Sequence, residues 1–127
     1  MIVVDTSSLI AVIVKEPEAI AIGRIMKNND LVLPASVLVE AGILATAKGW
    51  LSDLRQLLDQ IEADVIPLDE NIAEKAVSAF HLYGKGRHKA SLNFGDCLSY
   101  ATAVHLRMPL LYKGDDFVHT DVLSALV

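Results

Sequence analysis

The chain has 127 residues, 53% of them apolar, and a formal net charge of −5. That length and composition give one domain with a packed core and exclude a disordered chain. The acidic balance speaks against a protein that grips nucleic acid through bulk charge. The longest apolar run, six residues from 9 to 14, is far short of the ~20 that a membrane-spanning helix needs.

Residues 1–4 are all apolar and read as a buried strand. No basic leader and no small-residue cleavage site precede it, so no secretory signal is expected. Thr6, Ser7 and Ser8 turn the chain and cap a short helix over 9–14. Pro17 suits the first turn of a second helix, which runs to about residue 27 and stops at Asn28-Asn29-Asp30. Residues 31–33 are a short strand ended by Pro34. Ser36 caps a helix over 37–48, with Gly49 as its terminator.

Leu51, Leu54, Leu58 and Ile61 repeat at helical spacing. Residues 64–66 are a third strand. Residues 71–83 form a helix with Ile72, Ala76, Ala79 and Phe80 on one side. Gly84-Lys85-Gly86-Arg87-His88-Lys89 is a basic loop. Asn93 or Gly95 precedes a helix running to residue 107, and Pro109 lies beyond its end. Residues 110–112 are a strand, 114–119 a loop, and 122–127 a last strand or tail. Strands alternating with helices predict an α/β sandwich on a mostly parallel sheet, as a single domain over 1–127.

In such sheets, ligands bind beyond the carboxyl ends of the strands. Asp5, Asp115 and Asp116 each follow a predicted strand, Asp96 opens a helix, and Glu40 stands among apolar neighbours on a helix expected to be mostly buried. Singly, an Asp at such places caps a turn or complements a helix dipole. Together they predict converging carboxylates, which repel one another and are relieved by a divalent cation. All-oxygen donors suit Mg²⁺ or Mn²⁺ rather than zinc. Such a metal supplies the activated water and the charge neutralisation that phosphodiester cleavage needs.

These residues resemble the PIN-domain family, specifically its VapC-type toxin ribonucleases, over essentially the whole chain. The similarity lies in Val3-Val4-Asp5-Thr6-Ser7-Ser8-Leu9, in Glu40 within residues 34–41, in Leu92-Asn93-Phe94-Gly95-Asp96-Cys97, and in residues 110–117 followed by Thr120-Asp121. The resemblance implies a PIN-like α/β/α sandwich and a metal-dependent endoribonuclease that acts as the toxin of a type II toxin–antitoxin pair. Its site would be Asp5, Glu40, Asp96 and the pair Asp115/Asp116, with Asp116 favoured as the fourth acid. Asp5 and Asp96 would be direct ligands of Mg²⁺ or Mn²⁺. Glu40 and Asp116 would act through water, hold a second ion, or orient the attacking water. The implied partners are a VapB-type antitoxin whose basic C-terminal arm enters the site, an RNA substrate, and a second copy of the chain. Operator DNA would be met only through the antitoxin, and no membrane is involved.

Thr6 and Ser7 are candidates to hold the carboxylates or the scissile phosphate, against simple turn formation. Lys85, Arg87, His88, Lys89 and Lys113 are candidate RNA contacts, against an ordinary solvated loop. His81, His105 and His119 have no partner at metal-ligand spacing. Cys97 reads as a small buried thiol, since no base accompanies it. As the lone cysteine it makes no intrachain disulfide, which suits the cytoplasm.

Two other readings fit some of this pattern. One is a Mg²⁺-dependent phosphotransfer domain of the receiver type, with Asp69 as its phosphoacceptor. The other is a non-catalytic module whose acidic pocket receives a basic partner segment.

Overall fold

The computed structural model describes residues 1–126. Strand β1 (Ile2–Val4) leads into helices α1 (Thr6–Ile13) and α2 (Ala19–Asn28), then β2 (Leu31–Pro34). Helices α3 (Ala35–Lys48) and α4 (Leu51–Ile61) lead to β3 (Asp64–Ile66). Helices α5 (Glu70–Tyr83) and α6 (Phe94–Leu106) lead to β4 (Leu110–Leu111), and a 3₁₀ turn follows at Phe117–His119. The sheet order is β3-β2-β1-β4, and every pairing is parallel.

Successive strand side chains point to opposite faces, and the core divides accordingly. Ile2, Val4, Leu31, Leu33 and Leu111 pack with Leu9, Ile22, Val37 and Leu54 from the first four helices. Val3, Val32 and Leu110 pack on the other face with Ile72, Ala79, Ala101 and Ala103 from α5 and α6. Near-continuous apolar strands are the signature of a parallel sheet covered on both sides. The predicted α/β/α sandwich is the fold found.

Several local readings are corrected. Pro17 lies ahead of α2 rather than in its first turn. Ser36 is not a cap: α3 starts at Ala35, directly after β2, with no side-chain cap. Phe80 is exposed, so the buried face of α5 is Ile72, Ala76 and Ala79 alone. The predicted last strand is a single bridge, in which Leu110 donates to the Leu123 carbonyl and accepts from the Ala125 amide; Val127 lies outside the described residues.

The segment after β4 is fastened by one side chain. Tyr100, buried in α6, donates its hydroxyl to the Asp121 carboxylate. Burial and that partner push the phenol above its usual range. A hydrogen bond to a charged group is worth about 1.5–3 kcal/mol, less where water can replace it, and Asp121 is exposed. Tyr100→Phe is therefore expected to lower stability by about 1 kcal/mol. Thermal denaturation checks this, and an unchanged midpoint would show that the bond contributes nothing.

Candidate active site

The strand order reverses direction between β1 and β4, and the open ends of these two strands carry the site, as the switch-point rule for such sheets requires. A cavity of about 890 Å³ opens there, lined among others by Asp5, Thr6, Glu40, Phe94, Asp96 and Lys113.

Asp5 is buried at the N-cap of α1. Its carboxylate accepts from the Ser7 amide at 3.0 Å and the Ser7 hydroxyl at 2.6 Å. The Ser7 oxygen in turn accepts from the Lys113 amide at 3.0 Å, tying α1 to the end of β4. The Thr6 hydroxyl donates to Glu40 Oε1 at 2.6 Å and so holds α3's carboxylate against α1. Thr6 and Ser7 thus do more than turn the chain. Each fixes one acid.

Glu40 corrects the expectation of a buried helix. Only a narrow stripe of α3, Val37, Ala41 and Ala45, faces the core. Leu38, Val39, Glu40 and Ile43 are exposed, and Val39, Glu40 and Ile43 line the cavity. A four-residue repeat of buried positions leaves the opposite side of a helix in solvent whatever its hydropathy.

Asp96 stands in the first turn of α6 within a capping box. Its amide donates to Asn93 Oδ1 at 2.8 Å, and its Oδ2 accepts from the Asn93 amide at 3.1 Å. Despite that bond its pKa is raised from 3.8 to about 7, first by desolvation and then by the charges of Asp5, Asp116 and Glu40. Asp5, Glu40 and Asp96 line one cavity, and the charge of Asp116 also reaches Asp96. Asp115 acts on Lys113 instead and lines a separate, smaller pocket.

Among the described residues, no three His, Cys, Asp or Glu side chains are already gathered tightly around one point. Asp5, Glu40 and Asp96 line the cavity, Asp5 and Glu40 each holding a hydroxyl, while Asp116 is exposed outside its lining. The donors are hard oxygens of like charge. Such a set fits Mg²⁺ or Mn²⁺.

The basic residues divide. Lys113 lines the cavity but is paired with Glu16, which raises its pKa. Lys85, Arg87 and Lys89 do not line it. Their loop is closed by the Gly84–Leu92 bridge, and Arg87 donates to the His81 carbonyl at 3.1 Å. Asp69, the phosphoacceptor of the receiver-type reading, caps α5, accepting from the Ile72 amide at 2.9 Å, and does not line the cavity that holds the other acids. The Cys97 thiol is pushed up to about 11 by burial and by Asp96, so it is no nucleophile at neutral pH.

Sequence reasoning gave no role to most of the apolar lining, nor to three residues that bear on the acids. Glu16 had no strand or motif to mark it. Phe94 is 81% exposed beside Asp96, and Gly95 meets Glu40 (below); both stood inside a recognised motif without an assigned role.

The chain matches the family model described as PIN domain over residues 2–123. It is 41% identical over 129 residues to Ribonuclease VapC28 of Mycobacterium tuberculosis, covering 98% of this chain and 97% of that protein. Against Ribonuclease VapC of Mycolicibacterium smegmatis it is 35% identical over 126 residues, covering 96% and 98%. Among solved structures, VapC20 of Mycobacterium tuberculosis, described as a sarcin-ricin loop cleaving toxin, gives a TM-score of 0.77 at 16% identity with 100% of both chains covered. A toxin-antitoxin complex from Klebsiella pneumoniae gives 0.74 at 18% identity, covering 100% of this chain and 98% of that one. At such identities the structural likeness speaks to fold alone.

Proposed function

The chain belongs to the PIN domain family, and from that membership we propose that it is a metal-dependent endoribonuclease, the toxin of a type II toxin–antitoxin pair. One observation carries the reading: Asp5, Glu40 and Asp96, distant in sequence, line one cavity at the switch point of the sheet. The names of the full-length relatives at 35–41% identity support the ribonuclease assignment.

Asp5 and Asp96 would be the direct ligands of Mg²⁺ or Mn²⁺, and Glu40 and Asp116 would act through water, hold a second ion or orient the attacking water. When bound, the metal activates water and offsets charge on the phosphoryl oxygens. The chain's own part is to hold those ligands. Ser7 fixes one Asp5 oxygen and Thr6 fixes one Glu40 oxygen. Lys113 lines the cavity wall and would meet a phosphate there on exchanging its pairing with Glu16 for that contact.

Val39, Ile43, Leu44, Leu68 and Phe94 line the same cavity as the acids. That pairing of apolar wall and acidic floor suits an antitoxin arm carrying apolar residues and a basic tip. A homodimer, work in the cytoplasm, and operator DNA reached only through the antitoxin complete the proposal. The basic loop, away from the cavity, is assigned to flanking RNA.

The test is the purified, partner-free chain incubated with total cellular RNA, with and without Mg²⁺ or Mn²⁺, beside Asp5→Asn. Asn caps a helix as well as Asp does, so that variant keeps its fold and isolates the charge. Discrete metal-dependent fragments, lost in the variant, are expected. Intact RNA, or equal cutting by both proteins, would overturn the assignment and favour the non-catalytic binding module.

A further inference from the structure

Gly95 is the second residue of α6, and its φ lies outside the left-handed region, so its backbone makes no demand for glycine. Alanine there would favour the helix by about 0.5–1 kcal/mol. Space explains the choice. A Cβ on Gly95 would stand 2.8 Å from Glu40 Cδ and 3.0 Å from Oε1, and closer still to Oε2. These are far inside van der Waals contact. Gly84 is the contrast: a Cβ there meets the Phe80 backbone as well as its ring, so that glycine serves the fold. At Gly95 the three nearest atoms all belong to the end of one flexible side chain.

We propose that Gly95 is a positioning residue, whose missing side chain leaves the space in which the Glu40 carboxylate lies against the start of α6, next to Asp96. This rests on the reading of Glu40 as part of the metal site. Thr6 holds Glu40 from one side at 2.6 Å, and the Gly95 backbone bounds it on the other. A methyl group would push the carboxylate away while the backbone stays in place. Fold and site would then respond in opposite directions.

Five proteins test this: the wild type, Gly95→Ala, Glu40→Gln, the double variant of these two, and Gly95→Ala combined with Glu40→Asp. Each is measured for melting temperature without metal, for Mn²⁺ affinity by calorimetry, and for kcat and KM on the RNA that the wild type cuts. Gly95→Ala is expected to melt at or above the wild type and to bind Mn²⁺ about 10-fold more weakly, the scale for disturbing the surroundings of metal ligands. Its kcat falls while KM changes little. The double variant is no worse than Glu40→Gln, because both changes remove the same carboxylate. Adding Glu40→Asp to Gly95→Ala recovers part of the Mn²⁺ affinity, since the shorter side chain clears the methyl.

Wild-type Mn²⁺ affinity in Gly95→Ala, losses that multiply in the double variant, or no Mn²⁺ binding by any protein would overturn the proposal. If the affinities fall as expected but the wild type leaves RNA intact, the role of Gly95 stands and the ribonuclease reading fails.

Discussion

Asp96→Asn is expected to abolish RNA cleavage while making the metal-free protein more stable at neutral pH. The loss follows from the site. The stabilisation of transition-state charge by a metal is worth several kcal/mol, and each ~1.4 kcal/mol is tenfold in rate, so a fall of about 10³-fold or more is the expectation. The gain follows from the raised pKa. Between its unfolded value of 3.8 and its folded value of about 7, Asp96 binds more protons folded than unfolded. Stability of the metal-free wild type therefore falls as pH rises through that window and levels off above it.

Asn carries no charge and keeps an oxygen for the Asn93 amide, so the variant escapes this loss and retains its capping box. After allowance for solvent screening the difference is about 1–2 kcal/mol above pH 7. Mn²⁺ reverses the order, because it raises the melting temperature of the wild type alone. Its binding displaces the Asp96 proton, so apparent affinity strengthens as pH rises towards about 7. Melting curves from pH 4 to 8, with and without Mn²⁺, check each part. Parallel curves for the two metal-free proteins would show that Asp96 is not strained, and undiminished cutting by the variant would remove it from the site.

Leu9→Ala has the largest expected effect on the fold. Leu9 is fully buried beneath the sheet, on the eight-residue helix α1. Truncating such a leucine costs about 2–5 kcal/mol through lost burial and the cavity left behind. For a domain of this size that is a fall of roughly 6–25 °C in melting temperature. Leu9→Met, which keeps the volume, should cost less than about 1.5 kcal/mol. Activity should suffer well below the melting point too, because α1 also carries Thr6 and Ser7, the residues that hold Glu40 and Asp5. A loss under about 1 kcal/mol would mean that the surrounding core closes over the gap.

The parts of this architecture that hydropathy dictates were legible in the sequence. Residues 1–4 and 31–33 read as strands because parallel strands covered on both faces are nearly all apolar, and Gly49 ends α3 in the left-handed conformation expected of a terminator. Asp5 and Asp96 were found because strand ends and helix starts gather at one edge of such a sheet. What escaped depends on three-dimensional placement. The exposure of Glu40 follows from which stripe of α3 meets the sheet, a choice that apolar residues on both sides of the helix conceal. The separation of the 84–89 loop from the cavity follows from the Gly84–Leu92 bridge, which no local pattern announces. The Glu16–Lys113 pair joins residues 97 apart in the chain, and the role of Gly95 is a matter of empty volume.

The sheet order also governs when the site can exist. β1 is synthesised first, yet it is completed on one side by β4, with Val3 beside Leu110 and Val4 beside Leu111. Asp5 donates its amide to the Leu111 carbonyl, and Ser7 receives the Lys113 amide. Until residue 113 has left the ribosome, Asp5 and Ser7 lack these backbone neighbours, so at roughly 5–20 residues per second the surroundings of Asp5 are completed only at the end of synthesis, by the last strand to be made.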